Sequence, residues 1–303
     1  MTDQPIRTVA FIGLGKMGRP MAANLAKAGF SLRVMDRSAE AVRGFLAVSP
    51  ANAFGTPREA AAGSEALITM LPTGRDVREV LLGRAPDDPG AAMKGLGPNS
   101  LVIDMSSSAP LLTRDTGHQL ATGGIAMLDA PVSGGVPRAR DGTLAIMVGG
   151  ERDAIERVRS VLAALGSKIF IIGPLGSGHA MKTLNNYVSA AGLVAAAEAL
   201  LIGQRFGLDP AIMTDVFNAS TGRNNSTDNK LKQHILSGAF ASGFSLDLMT
   251  KDLSTAVELA KDLGVPMPLA EHCADLWKEA SGQLGPGVDH TEIYRFLEHL
   301  KDG

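Results

Sequence analysis

The residues best placed to do chemistry lie near the start of an unbroken stretch, Ser177 to Phe206, where Asn186 follows Lys182 by four residues and His179 precedes it by three. On a helix that spacing puts the side chains on one face, a turn apart. An amine can carry a proton to or from an alcohol or carbonyl oxygen, and a neighbouring amide can hold the amine or that oxygen. The group therefore reads as a proton-handling face turned toward a cleft. A lysine and an asparagine alone would read as an ordinary solvated face; the N-terminal half supplies the context. There RTVAFIG runs into GLGKMG and then PMAANLAKAG, the strand, glycine turn and helix of a dinucleotide site. Gly13 permits the tight turn, Gly15 lets the backbone approach a pyrophosphate, and Gly18 lets the helix pack on the strand. A second run, SLRVMD, ends at Asp36, about twenty residues on, where a carboxylate can bond both ribose hydroxyls and repel a 2′-phosphate. Asp36 favours NAD over NADP. Arg37 pulls the other way, since it can pair with a phosphate or stack on adenine.

These residues need elements to position them. Ser177 to Phe206 has no proline and two interior glycines, so it can run as one helix of roughly 45 Å, long enough to join two domains. Upstream, ALITML (66–71), SLVIDM (100–105), GIAMLDAPVSGG (124–135), TLAIMVGG and SKIFIIG are apolar runs separated by helix-like segments. Their alternation predicts an α/β fold, a Rossmann-type doubly wound parallel sheet over residues 1–174. Ligands of such sheets bind beyond the carboxyl ends of the strands, which places Leu71, Pro72, Ser106 and Ser107 beside a cofactor. The serines can equally cap the next helix. Ser133, Gly134 and Gly135 form a hydroxyl and backbone N–H nest suited to a carboxylate. After Phe206 the pattern is helical throughout: GLDPAIMTDVFNAS with Asp209 as N-cap and Pro210 in first position, then NSTDNKLKQHIL, SLDLMTKDLSTAVELAKDLG and MPLAEHCADLWKEASG. An all-α domain over 175–303, beginning with the long helix, is expected, with Lys251 and Asp252 as its polar pair of interest.

Composition excludes several function classes. The 303 residues suffice for two cores, and 29 basic against 31 acidic residues give a net charge of −2, with no electrostatic draw toward nucleic acid or an anionic membrane. A small molecule is the expected partner. One cysteine, Cys273, suits a reducing compartment. The first apolar run is too short for a secretion signal, and Val188 to Gly203, interrupted by Ser189 and Glu198, falls short of the 18 or so residues that span a bilayer. A soluble, cytoplasmic protein is expected. The histidines fall in no HxxxH or HxxH spacing, which argues against a metal site, and no GxSxG elbow supports a hydrolase.

Taken together, FIGLGKMGRPMAANL, DMSSSAP, DAPVSGG, GHAMKTLNN and MTKDL resemble, in order, five motifs of the β-hydroxyacid dehydrogenase family, which includes 3-hydroxyisobutyrate dehydrogenases and tartronate semialdehyde reductases. The resemblance covers essentially the whole chain. It implies an NAD(P)-dependent oxidoreductase acting on a small β-hydroxyacid or its semialdehyde, and a homodimer or homotetramer. Lys182 would be the general acid/base, with its pKa depressed by burial and by Lys251, and Asn186 would help place it and the substrate. Ser133, Gly134 and Gly135, with Ser107, would hold the substrate. Gly13, Leu14, Gly15, Lys16, Met17 and Gly18, with Asp36 and Arg37, would hold the dinucleotide, while Leu71, Pro72, Ser107 and Lys251 line its nicotinamide end. Imine reductases share the fold but usually lack this lysine, and a non-catalytic dinucleotide sensor or scaffold would be expected to lose it or its asparagine. Arg223, Asn224 and Asn225 suggest a polar substrate.

Overall fold

A computed structural model describes residues 6–85 and 88–300, and the chain divides into two compact units, Met1–Lys182 and Thr183–Gly303. The division falls inside the long helix, past the expected limit at residue 174.

In the first unit the apolar runs form a nine-stranded sheet: β1 Thr8–Ile12, β2 Ser31–Met35, β3 Asn52–Ala53, β4 Ala66–Thr69, β5 Leu101–Asp104, β6 Ala126–Asp129, β7 Val132–Ser133, β8 Leu144–Gly149 and β9 Gly166–Gly173. The spatial order is β3-β2-β1-β4-β5-β6-β8-β7, with β9 on β8. Strands β3 to β6 on this path are parallel, and every residue of β4 and β5 is buried. Burial on both faces is why these runs are apolar throughout instead of alternating. Along β1, Val9 and Phe11 enter one core with Met21, Leu25 and Ile68, while Ala10 and Ile12 enter the opposite one with Leu67, Val102 and Leu120. The chain changes direction of winding beside β1, and that switch point is where such sheets open a ligand crevice.

The sheet is mostly parallel. The exception is β8, antiparallel to β6 and β7. GIAMLDAPVSGG is two strands and not one: it breaks at Ala130–Pro131, where proline lacks an N–H for the ladder. The following helix, Gly135–Asp141, returns the chain in the opposite sense. The two-residue β3, exposed at both positions, was not expected from the sequence.

The second unit is helical. Ser177–Phe206 is one helix of 30 residues, followed by Pro210–Ala219, Asn225–Asn229, a π-helical turn Leu231–Leu236, and helices Leu246–Asp262, Pro268–Leu284 and Ile293–Glu298. Asp209 caps as expected, accepting from the N–H groups of Ala211 and Ile212 at 2.8 and 3.0 Å. The long helix is apolar enough to cross a membrane by length and composition alone, contrary to the expectation for its Val188–Gly203 tract. Its Ala190, Leu193, Ala197 and Leu200 instead form a buried stripe at helical spacing, packed in one cluster with Leu253, Trp277 and Phe296.

Candidate active site

Beyond the carboxyl ends of β1, β2 and β4 lies a cleft of about 710 Å³, within the size range of small-molecule sites. Gly13, Gly15, Lys16, Met17, Gly18, Asp36, Arg37, Leu71 and Pro72 line it, together with Thr56, Val80 and Arg84. Leu14 does not: its side chain is buried in the core, and it contributes its N–H, which donates to Asp36 Oδ2 at 2.7 Å. Asp36 Oδ1 accepts from the Ser38 N–H at 2.7 Å. Two backbone donors thus aim the carboxylate, and each oxygen keeps lone-pair capacity for a ribose hydroxyl.

The glycine loop fits a dinucleotide. Gly13 has φ +103°, and a Cβ there would strike the Met70 carbonyl oxygen. A Cβ on Gly18 would strike the carbonyl oxygen of Gly13, so the helix Gly18–Lys27 can start this close to β1 only with glycine. At Gly15 a Cβ would meet nothing within 4 Å, leaving bare backbone toward the cleft for an anionic group.

Strands β5 and β6 each end in a fully buried aspartate, Asp104 and Asp129, neither singled out from the sequence. Asp104 accepts from Thr69 Oγ1 (2.9 Å), the Ser106 N–H (3.0 Å) and Ser108 Oγ (2.7 Å). Ser106 Oγ in turn accepts the Leu71 N–H at 2.9 Å, tying the serine loop to the cleft wall. The helix-capping alternative for these serines is not realised, because the N-cap of Pro110–Ala121 is Ala109. Asp129 accepts from the N–H of Gly176 and of His179, both at 2.7 Å. It therefore satisfies orphan donors at the start of the long helix, where a carboxylate is also favoured by the helix dipole. His179 is fully buried and faces no cleft, a correction to the expected shared face. Its Nε2 donates to the Ser106 carbonyl at 3.1 Å, its Nδ1 meets Thr113 Oγ1 at 2.9 Å, and both aspartates stand 3.7 Å from the ring. Lys182, half-buried, follows one turn later. Ser133, Gly134 and Gly135 close β7, the glycines at φ +134° and +64°. The missed signal was two acidic residues ending otherwise apolar runs, SLVID and AMLD.

In the second unit Asn186 is buried and donates from Nδ2 to Asp252 Oδ2 at 2.5 Å, while Lys251 Nζ lies 3.5 Å from Asp252 Oδ1. Asp252 thus joins two of the expected site residues. One turn beyond Asn186, the Ser189 hydroxyl accepts from Lys230 Nζ at 3.4 Å. Lys230 is buried, and burial pushes its amine down to about 8, against an upward pull from Asp289. His290 is pushed down to about 4 by burial and by the charge of Lys230, opposed by Asp289. The sequence gives no warning of Lys230, because NKLKQHIL reads as an outward-facing α-helical lysine pattern. The π-helical turn that begins at Leu231 breaks the 3.6-residue phase on which that reading depends. Arg223 pairs with Asp228 at 2.9 Å and Asn224 caps its helix through the Ser226 N–H at 2.7 Å, so both have structural work in this segment.

Two family models match the chain: the NAD binding domain of 6-phosphogluconate dehydrogenase over residues 8–173, and the NAD-binding region of NADP-dependent 3-hydroxyisobutyrate dehydrogenase over 176–297. The chain is 36% identical to 2-(hydroxymethyl)glutarate dehydrogenase of Eubacterium barkeri, over 96% of this chain and 95% of that one. It is 38% identical to 3-hydroxyisobutyrate dehydrogenase of Pseudomonas aeruginosa, over 97% and 98%. Among solved structures, Mycobacterium tuberculosis 3-hydroxyisobutyrate dehydrogenase with L-serine superposes with a TM-score of 0.88 at 34% identity, covering 96% of this chain and 99% of that one.

Proposed function

The chain belongs to the β-hydroxyacid dehydrogenase family, and from that premise we propose how its own residues serve the family's hydride transfer between NAD(P) and a small hydroxyacid or the corresponding semialdehyde. Bound NAD(P) supplies the hydride acceptor or donor. Gly13 to Gly18 and Asp36 would hold it, and Leu71, Pro72, Ser107 and Lys251 would line its reactive end. The Asp36 carboxylate, aimed by two N–H groups, favours NAD over NADP.

Lys182 Nζ takes the proton of the substrate hydroxyl during oxidation and returns it to the carbonyl oxygen during reduction. The observation that carries this role is the anchoring of the helix turn that precedes it. Asp129 binds that turn to the end of β6, in the same sheet whose other strands end at the dinucleotide cleft. Asn186, held by Asp252, presents a fixed amide to the substrate, and Ser133, Gly134 and Gly135 receive its carboxylate. Replacing Lys182 by Ala should lower kcat by about 10²- to 10⁴-fold and leave NADH affinity within about threefold; a loss under about tenfold would remove Lys182 from the role.

A homodimer or homotetramer accords with the apolar side chains left exposed on the second unit, among them Val188, Ile202, Phe206, Ile212 and Val216. A cytoplasmic setting accords with a lone, buried Cys273.

A further inference from the structure

We propose that Lys230, together with the hydroxyls of Ser189 and Ser226, receives a second acidic group of the substrate, so that the preferred substrates are β-hydroxyacids carrying a carboxylate at the far end. The inference names the substrate class of the site proposed above and rests on that reading.

A buried ammonium asks for partners. An ammonium has three donors, yet among the described residues the one hydrogen bond that the Lys230 ammonium makes is the long one to Ser189. Four residues earlier, on the same face of its own segment, the Ser226 hydroxyl is buried and has no hydrogen-bond partner. The acidic neighbour Asp289 is already engaged. Its two oxygens accept from Ser242 Oγ, the Gly243 N–H, and both the N–H and the hydroxyl of Thr291, at 2.7–3.0 Å. Unmet donors around a buried cation are costly unless something anionic completes them.

Location turns this shortfall into a binding argument. Ser189 lies three residues beyond Asn186 on the long helix, about 4.5 Å along the axis and on the same face. The Asn186 amide meets the reacting end of the substrate, so a group one turn along meets the other end. A spacing of this order suits two or three carbons between the carbinol end and a terminal carboxylate. Lys230 keeps most of its positive charge at neutral pH, and the hydroxyls of Ser189 and Ser226 can donate to the same carboxylate.

Three β-hydroxyacids separate charge from bulk. 3-Hydroxyisobutyrate has a methyl where 2-(hydroxymethyl)glutarate has a carboxyethyl arm, and 2-(hydroxymethyl)pentanoate has a propyl arm of similar length without the charge. The wild-type enzyme should favour the glutarate over the pentanoate by at least about twentyfold in kcat/KM. Lys230→Met should bring that ratio within about threefold of unity and leave turnover of 3-hydroxyisobutyrate within about threefold. A wild-type enzyme without preference for the glutarate, a Lys230→Met enzyme that keeps it, or an equal loss on all three acids would overturn the proposal. Should Lys230→Met fail to fold, Ser226→Ala decides: a loss of about threefold or more confined to the glutarate supports it, and an unchanged ratio refutes it.

Calorimetric titration of the NADH-bound protein with glutarate and with butyrate gives a readout independent of turnover. Lys230→Met should abolish the advantage of glutarate, and retention of that advantage counts against the site. If no acid is oxidised at all, or if Lys182→Ala retains turnover, the proposed role of Lys182 fails while this titration still decides on Lys230.

Discussion

A lysine held for binding should lower the stability of the fold that holds it. Burial pushes the Lys230 amine from 10.5 to about 8, a depression worth about 3 kcal/mol at about 1.4 kcal/mol per pH unit. The sign follows from proton linkage. Below pH 8 both folded and unfolded chains carry the proton, so the folded state bears the full cost of the buried charge. Between pH 8 and 10.5 the folded amine releases its proton while the unfolded one keeps it, and stability rises through that window. Lys230→Met preserves the length of the side chain and removes the charge, so it should stabilise the protein at pH 7 by about 1–3 kcal/mol, with the gain shrinking as pH approaches 10.5. Trp277 is the sole tryptophan and lies fully buried in the helical unit, so its fluorescence during urea unfolding reports on that unit directly. A variant less stable than wild type at pH 7, or a gain that does not shrink with pH, would show that Lys230 is a well-satisfied structural cation. The stability cost would then vanish, and with it the reason to seek an anion.

Two other consequences can be checked with less effort. Asp36→Ala should shift the ratio of kcat/KM for NAD over NADP toward NADP by about tenfold or more, since it removes the proposed ribose acceptor; an unchanged ratio would contradict the role of that carboxylate. His290, pushed down to about 4, should titrate by NMR below pH 5. Its depressed pKa makes a stabilising contribution that is complete above 6.5 and is lost as pH falls toward 4. In Lys230→Met the midpoint should move up, because the lysine charge is one of the forces lowering it, and a midpoint above 6 in the wild-type protein would refute the burial argument.

The glycine loop, Asp36 and the long helix were legible because each is a local pattern: a strand, a turn and a helix in sequence, or thirty residues without a proline. The direction of β8 was not, since an apolar run carries no mark of which way it will pair, and the reversal is made by the short helix Gly135–Asp141 between β7 and β8. His179 shows the limit of spacing arguments. Three side chains at helical intervals do share a face, yet the turn nearest the helix start is enclosed by Asp104, Asp129 and Thr113, and the shared face is split between interior and edge. Lys230 was hidden for a related reason, because a π turn changes the period by which inward and outward are judged. Asp252 is legible as half of a Lys-Asp pair, but its bond to Asn186 crosses 66 residues of chain and is visible only in the fold.

The grip of Asp129 on the first turn of the long helix also bears on how this architecture can be re-engineered. A lever pinned at its origin can be refitted further along its length without disturbing the end that is pinned. Exchanging residues such as Ser189 or Lys230 for others of similar bulk should therefore change which molecules are accepted while Lys182, the proposed proton carrier, stays registered to the sheet. Altering Asp129 should do the reverse, blunting turnover on every acceptor alike.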